Sequence, residues 1–325
     1  MDPNMKKILL SFAAILVCLV SGAQDTLPPF EDDADISVFI AKQGRGRAQQ
    51  GMDACGRYIF SLEDGGHVNV YDFRKASPVP VAGFELASSA KDNHANNAEF
   101  GLEKKKGASF PLLYVSIGKV GCDLEWMCYV ESVTRRHGRW SSELVQTIIL
   151  DRCEGWKEAG YTAIFGSPSW LVDREGGALW VFSAIRRTTP QVTPNPADNL
   201  YVATKFRIPR LSEGPVVHLG AADILGQVTF PSDIGFTQAG CMHDGLIYYC
   251  FGVGNRSDTR PAGLRVYDTA TGKVAARYNL RETVLQEPED VFIRDGWIYM
   301  NGNTPSKGKV VPNIYRISMP KKAGK

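Results

Sequence analysis

The sequence predicts an all-β chain: a β-propeller of five four-stranded blades closed into a ring by an N-terminal strand. Three observations predict it. A pair of aromatic strand motifs returns five times. Its first member occurs at Tyr58-Ile59-Phe60, Leu112-Leu113-Tyr114-Val115, Leu179-Trp180-Val181, Leu246-Ile247-Tyr248-Tyr249 and Trp297-Ile298-Tyr299-Met300. Its second follows at Val70-Tyr71-Asp72, Cys128-Tyr129-Val130, Leu200-Tyr201-Val202, Val266-Tyr267-Asp268 and Ile314-Tyr315-Arg316. A loose period of about 60 residues lies close to the range of radial repeat architectures. Helical periodicity is nearly absent, and short Val/Ile/Tyr/Phe/Trp runs alternate with Gly, Asp, Asn, Pro and Ser, the pattern of an all-β chain.

Taken in order, the chain opens with Met5-Lys6-Lys7, the uncharged run Ile8 to Val20, and Ser21-Gly22-Ala23. A short cationic stretch, an apolar core and small residues at a cleavage point are the pattern of a secretory signal peptide over residues 1–23. The apolar run is shorter than the roughly 20 residues a spanning helix needs, and no later segment is apolar enough to cross a membrane. The expectation is one propeller domain over 24–325, exported to the periplasm or the cell exterior. Six cysteines then remain, and six allow 15 pairings between which sequence does not choose; several suit buried small apolar positions. The net charge of +2 gives no bulk attraction to a polyanion, so no nucleic-acid partner is expected. Lys104-Lys105-Lys106 and the Lys321 to Lys325 tail read as a solvated loop and terminus.

Ile36 to Ile40 stands outside the five pairs and is expected to pair with the last blade near Asn313 to Met319, closing the ring and leaving a monomer without an open sheet edge. Hairpin signals follow at Glu63-Asp64-Gly65-Gly66, His243-Asp244-Gly245 and Arg294-Asp295-Gly296. Asp151 to Gly160 and Pro215 to Leu225 are the only stretches that could hold a helical turn or two. Thr188 to Asn199 is too polar and Pro-rich for a tight hairpin and reads as a loop on one face. A layout of six or seven smaller blades would need strand pairs within 135–170 or 205–235.

The leading strand of each blade runs beside the central channel, and the segments that open these strands are unusually polar. They contain Gln50 and Asp53; His94, Asn96 and Asn97; Ser169 and Trp170; Gln238; and Glu287 and Glu289. These ten are the candidate ligand-binding residues, with amides, imidazole and carboxylates at one end of the channel and Trp170 as a stacking platform. The structural alternative is that such groups only satisfy neighbouring blades or ordered water. The set suits a glycan or another polar polymer. An enzyme on the same pocket, a glycoside hydrolase or a polysaccharide lyase, would draw on His94, Glu287 and Glu289, since glycosidases need two carboxylates with divided roles. A scaffold using the Thr188 to Asn199 loop as its contact surface is a further alternative. A calcium ion in the channel, on Glu289, Asp290 or Asn side chains, fits hard oxygen ligands; no other cofactor is indicated. Gly-x-Ser-x-Gly elbows, phosphate loops, dinucleotide fingerprints and sialidase-type Asp boxes are absent.

Gln50-Gly51-Met52, Tyr58-Ile59-Phe60, Val70-Tyr71-Asp72 and His94-Ala95-Asn96-Asn97-Ala98 followed by Leu113-Tyr114-Val115 resemble the opening blades of the five-bladed propellers related to helveticin J. Glu287-Pro288-Glu289 is similar to the late glutamate motif of that family. The likeness covers residues 43–120 and 285–300. It implies an exported bacterial protein that binds cell-wall polymers such as teichoic acids. The leader ending Ser21-Gly22-Ala23 before Gln24 resembles those of Bacteroidetes, which implies a Gram-negative envelope instead.

Overall fold

Each aromatic pair becomes the second and third strand of a sheet, because a near-continuous apolar run lets both faces of the strand bury against neighbouring sheets. The computed structural model describes residues 27–43, 48–91, 93–118, 126–187, 189–193, 195–304 and 310–320. The expected leader and the Lys321 to Lys325 tail lie outside the described residues.

β1 (Ile36–Ile40) precedes blade I, which comprises β2 (Gln49–Cys55), β3 (Tyr58–Glu63), β4 (His67–Asp72) and β5 (Ala82–Glu85). Blade II is β6 (Asn97–Phe100), β7 (Leu112–Ser116), β8 (Met127–Arg136) and β9 (Arg139–Leu150). Blade III runs β10 (Phe165–Asp173), β11 (Ala178–Ala184) and β12 (Tyr201–Arg207). The chain then leaves to lay β13 (Val216–Leu219) parallel to β9 of blade II, and returns as β14 (Ile224–Phe230) to complete blade III. Blade IV is β15 (Thr237–His243), β16 (Leu246–Phe251), β17 (Gly263–Asp268) and β18 (Lys273–Asn279). Blade V is β19 (Glu287–Arg294), β20 (Trp297–Asn303) and β21 (Asn313–Ser318), with β1 as its fourth strand.

The fold is therefore the five-bladed β-propeller the sequence predicts. β1 pairs antiparallel with β21, Ile36 opposite Ile317 and Val38 opposite Tyr315. Stretches 135–170 and 205–235 hold outer strands of blades II and III, not further blades. The two expected helical stretches resolve differently. Asp151 to Gly160 is a series of turns, and the second supplies β13 and a single 3-10 turn at Ala221–Asp223. A parallel partner for β9 wins over local helix formation there because it buries Val217 and Leu219 in the core.

Five apolar clusters fill the five junctions between blades. Phe60 and Phe100 join I to II, with ring centroids 4.8 Å apart. Trp156, Trp170 and Phe206 join II to III, and Phe182 and Tyr249 join III to IV at 4.3 Å. Tyr248 and Tyr278 join IV to V, while Phe292 and Tyr299 stack at 4.9 Å between V and I. Each buried aromatic contributes about 1.5–3 kcal/mol, spread evenly around the ring. The Asp244-Gly245 and Asp295-Gly296 turns have positive φ at both residues, 49° and 75°, then 50° and 75°. This is the two-residue hairpin geometry that Asp-Gly favours.

Because strand direction alternates, β2, β6, β10, β15 and β19 all start at one end of the channel. The long connections 231–236, 252–262 and 280–286, and the described residues 185–187 and 195–200, lie at that same end. This loop-rich end is the channel mouth.

Candidate functional site at the channel mouth

Four of the five inner strands carry a register irregularity near their start: between Gln49 and Met52, Phe165 and Ser169, Thr237 and Gly240, and Pro288 and Val291. A bulge re-aims side chains and frees polar groups from the ladder. Here it turns the opening residues of each blade toward one another. Gly51 allows blades I and II to approach closely: its N–H reaches the Ala95 carbonyl at 2.8 Å, and a Cβ there would lie 2.7 Å from the Asn97 carbonyl carbon.

Gln238 is the hub of the mouth. Its Nε2 donates to Glu287 Oε1 at 2.8 Å and to the Gly252 carbonyl at 2.9 Å. Its own carbonyl accepts from Asn96 Nδ2 at 3.2 Å and from the Tyr249 hydroxyl at 2.8 Å, and that hydroxyl lies 2.8 Å from Ser169 Oγ. Blades II, III, IV and V thus meet at one residue, II to IV around its carbonyl and V at its side-chain amide. His94 stands at the rim with Nδ1 2.8 Å from Asp64 Oδ1.

Glu287 is half-buried, and burial raises its carboxyl above the usual range; the Gln238 hydrogen bond and then the charge of His94 draw it back. Glu289, two residues on, is 3% exposed and accepts from Asn303 Nδ2 at 3.1 Å. Burial pushes its carboxyl well above the ordinary value, and repulsion from Glu287 adds to the effect. Two carboxyls on alternate residues of one strand stand roughly 7 Å apart at the backbone, and both lean toward the protonated form.

The remaining expected residues are placed differently. Asn97 is a structural pin, with Nδ2 donating to the Gly240 carbonyl at 2.7 Å and to Asp290 at 3.1 Å. Gln50 is buried, with its carbonyl accepting from Asn301 Nδ2 at 2.6 Å and its side-chain oxygen without a partner among the described residues. Asp53 lies about 10 Å further along β2. It accepts from the Phe100 N–H at 2.7 Å and pairs with Arg174 at 2.8 Å, so it belongs to the channel wall and not to the mouth. Trp170 is fully buried between blades II and III, so neither ring face reaches the channel mouth. Asp290, expected as a cation ligand, has both oxygens filled by N–H donors from Met52, Ala98, Asn97 and Val291. Of the expected cation ligands beside it, Glu289 is bonded to Asn303 alone among the described residues.

Tyr249, Asp64 and Asn303 were not anticipated. Tyr249 is part of an aromatic strand motif that signals only the blade, and Asp64 sits in a hairpin whose turn residues explain it fully. The alternation Asn301-Gly302-Asn303 at the end of β20 is the one local signal of a polar strand end.

Elsewhere, Glu175, His243 and Asp244 bring ligand atoms within 4.8 Å of one another at the opposite end of the channel, half-buried to exposed. The five described cysteines, Cys55, Cys128, Cys153, Cys241 and Cys250, are free thiols, three of them buried. No helix among the described residues is long and apolar enough to cross a membrane.

Fold and mouth together define a five-bladed β-propeller with a polar, carboxyl-bearing channel opening. No family model and no curated protein matches the chain. Among solved structures it is similar to a glutaminyl cyclase from Myxococcus xanthus, with 14% identity over 87% of this chain and 95% of that one, at a TM-score of 0.47. It is also similar to the tail fiber of Staphylococcus aureus phage P68, with 12% identity over 89% of this chain and a TM-score of 0.52. The matched region spans 54% of the tail-fiber chain. At such identities the likeness is one of fold.

Proposed function

We propose that this protein is an exported, monomeric propeller that binds a glycan or cell-envelope polymer at the channel mouth. One observation carries the reading. Glu287 Oε2, His94 Nε2 and Asn96 Oδ1 are half-buried and have no partner among the described residues, while the other polar atom of each side chain is tied down. Each side chain is thus oriented by one bond and offers its second atom outward. With Nδ1–H donated to the Asp64 carboxylate, the neutral His94 ring presents Nε2 as an acceptor, and together with the two oxygens it matches the hydroxyl donors of a sugar. The leader pattern and the resemblance to helveticin J-like propellers support export and an envelope ligand.

A glycan array with wild type, His94→Ala and Glu287→Gln tests it. Binding by the wild type that falls at least tenfold in both variants is expected. No binding, or binding unchanged in both, removes the assignment.

A second reading is favoured by the two raised carboxyls. Glu289, the more strongly raised of the two, would hold the proton of a general acid, with half-buried Glu287 as its ionised partner, in a carbohydrate-active enzyme. Polysaccharide cleavage by the wild type that is lost in Glu287→Gln and in Glu289→Gln would establish it. Binding without turnover leaves the first reading alone.

A further inference from the structure

A second recess opens on the mouth face beside Gln238, between blades III and IV. Three polar or glycine-containing segments build it: Phe165-Gly166-Ser167 at the start of β10, Arg186-Arg187 after β11, and Gly235-Phe236-Thr237 leading into β15. They enclose a cavity of about 280 Å³. Two aromatic rings stand open at it, Phe165 at 46% exposure and Phe236 at 41%, in a chain whose other phenylalanines mostly fill the blade junctions.

Phe236 is held in this position against its own preference. Its φ of 64° is left-handed, a conformation that bulky side chains avoid. Its carbonyl accepts from the Gly252 N–H at 2.9 Å, and the Arg260 guanidinium lies 4.6 Å from its ring centre. Strain of this kind persists where the surroundings over-determine it, and it gathers at ligand sites. The cavity lining contains Arg186 and Arg187 and no acidic residue. Arg186 is oriented by donating from Nη1 to the Asn199 carbonyl at 3.0 Å and from Nη2 to the Asp198 carbonyl at 2.9 Å. Arg187 is exposed and has no partner among the described residues. A preorganised guanidinium, a free one and two open rings suit a ligand that carries a carboxylate on a ring with an apolar face.

We infer that this recess is a subsite for an acidic sugar, a uronic-acid-type residue. Arg187 takes the carboxylate, and Phe236 and Phe165 take the ring face. The inference rests on the glycan reading of the channel mouth and names its substrate class. Gln238 follows Thr237 directly, and Ser169 lies two residues beyond Ser167, so one polymer would pass from the recess to Glu287 and Asn96.

Titration calorimetry decides it, with oligomers of polygalacturonate and of alginate, each beside its carboxyl-reduced neutral counterpart. The proteins are wild type, Arg187→Ala, Phe236→Gly and Asn96→Ala. Phe236→Gly removes the ring while suiting the left-handed backbone, so it should fold at least as well as wild type. At least one acidic oligomer should bind, and carboxyl reduction, Arg187→Ala and Phe236→Gly should each weaken it about tenfold or more. Equal affinity for acidic and reduced forms, or no effect of Arg187→Ala, overturns the subsite. If Asn96→Ala abolishes binding of the neutral forms while Arg187→Ala changes nothing, the mouth reading stands and the subsite falls. If acidic binding depends on Arg187 and is indifferent to Asn96→Ala, the subsite stands and the mouth reading falls. Failure of every oligomer to bind overturns both.

Discussion

Asp290 in blade V accepts the backbone N–H of Met52 in blade I at 2.8 Å, and the same carboxylate oxygen reaches the N–H of Ala98 in blade II at 3.1 Å. The device repeats at the next two junctions. Asp53 of blade I accepts from Phe100 N–H of blade II at 2.7 Å, and Glu99 of blade II accepts from Val172 N–H of blade III at 2.7 Å. Inner strands of neighbouring blades share no ladder, so a buried acid on one strand satisfies an N–H of the next that would otherwise be orphaned. Polar residues beside the channel are therefore of two kinds, those that tie blades together and those that face the opening.

Asp290→Ala should be strongly destabilising, because it orphans several buried N–H groups at once. Each such group costs about 1–3 kcal/mol, so a loss of about 3–5 kcal/mol in urea unfolding is expected. A loss below about 1 kcal/mol would show that the junction does not depend on this carboxylate.

Arg174→Met leaves Asp53 and Glu99 buried without their cation. Burial already pushes the Glu99 carboxyl well above its ordinary value; the charge of Arg174 draws it back, while Asp53 raises it further. Removing one partner of a buried pair costs about 3–5 kcal/mol, and the lower end applies because the Arg174 side chain is 36% exposed. Arg174→Lys should recover part of this, and Asp53→Asn in the Arg174→Met background should recover more. Additive losses in that double variant would refute the coupling.

Glu289→Gln should stabilise the protein at neutral pH. The folded state holds the Glu289 carboxyl above its unfolded value, so between those two values the folded state binds more protons and stability falls as pH rises. The substitution removes that loss and keeps an oxygen for Asn303. Its melting temperature should exceed that of wild type at pH 8, and the gap should shrink toward pH 4.5. A calcium ion held by Glu289 would reverse the sign: wild type would then gain stability on adding calcium, and Glu289→Gln would not.

Deleting the chain up to Ala41 should unzip blade V. Ile40 is fully buried among Ile59, Tyr71 and Ile314, and its loss alone costs about 2–5 kcal/mol. β21 would become an open edge prone to pairing with another chain. Light scattering on warming checks this, and a truncated protein that melts as a monomer at the wild-type temperature would show that ring closure does not need β1.

The architecture was legible because its signals are local. Tyr58-Ile59-Phe60 and Val70-Tyr71-Asp72 are strands by composition and alternation, Asp244-Gly245 is a hairpin by backbone preference, and five repetitions of such a pair leave few folds open. Ile36 to Ile40 was assignable to the last blade because a closed ring needs a strand at that edge. The excursion of β13 to blade II was not legible, since pairing between β9 and β13 joins residues about 70 apart and depends on burial that neither segment specifies alone.

The mouth divides in the same way. Composition marked Gln238, His94, Asn96 and Glu287 as polar residues opening inner strands, and the ring gathers these four. The same rule also marked Asp53, Asn97 and Trp170, which the fold turns to the channel wall, a junction pin and the core. The sequence by itself determined strands and turns, because these follow from residues within one hairpin of each other, and it favoured five blades, a number the fold then decided. Only the tertiary structure decided which polar atoms remain open, because that depends on bulges in four inner strands and on donors supplied by other blades.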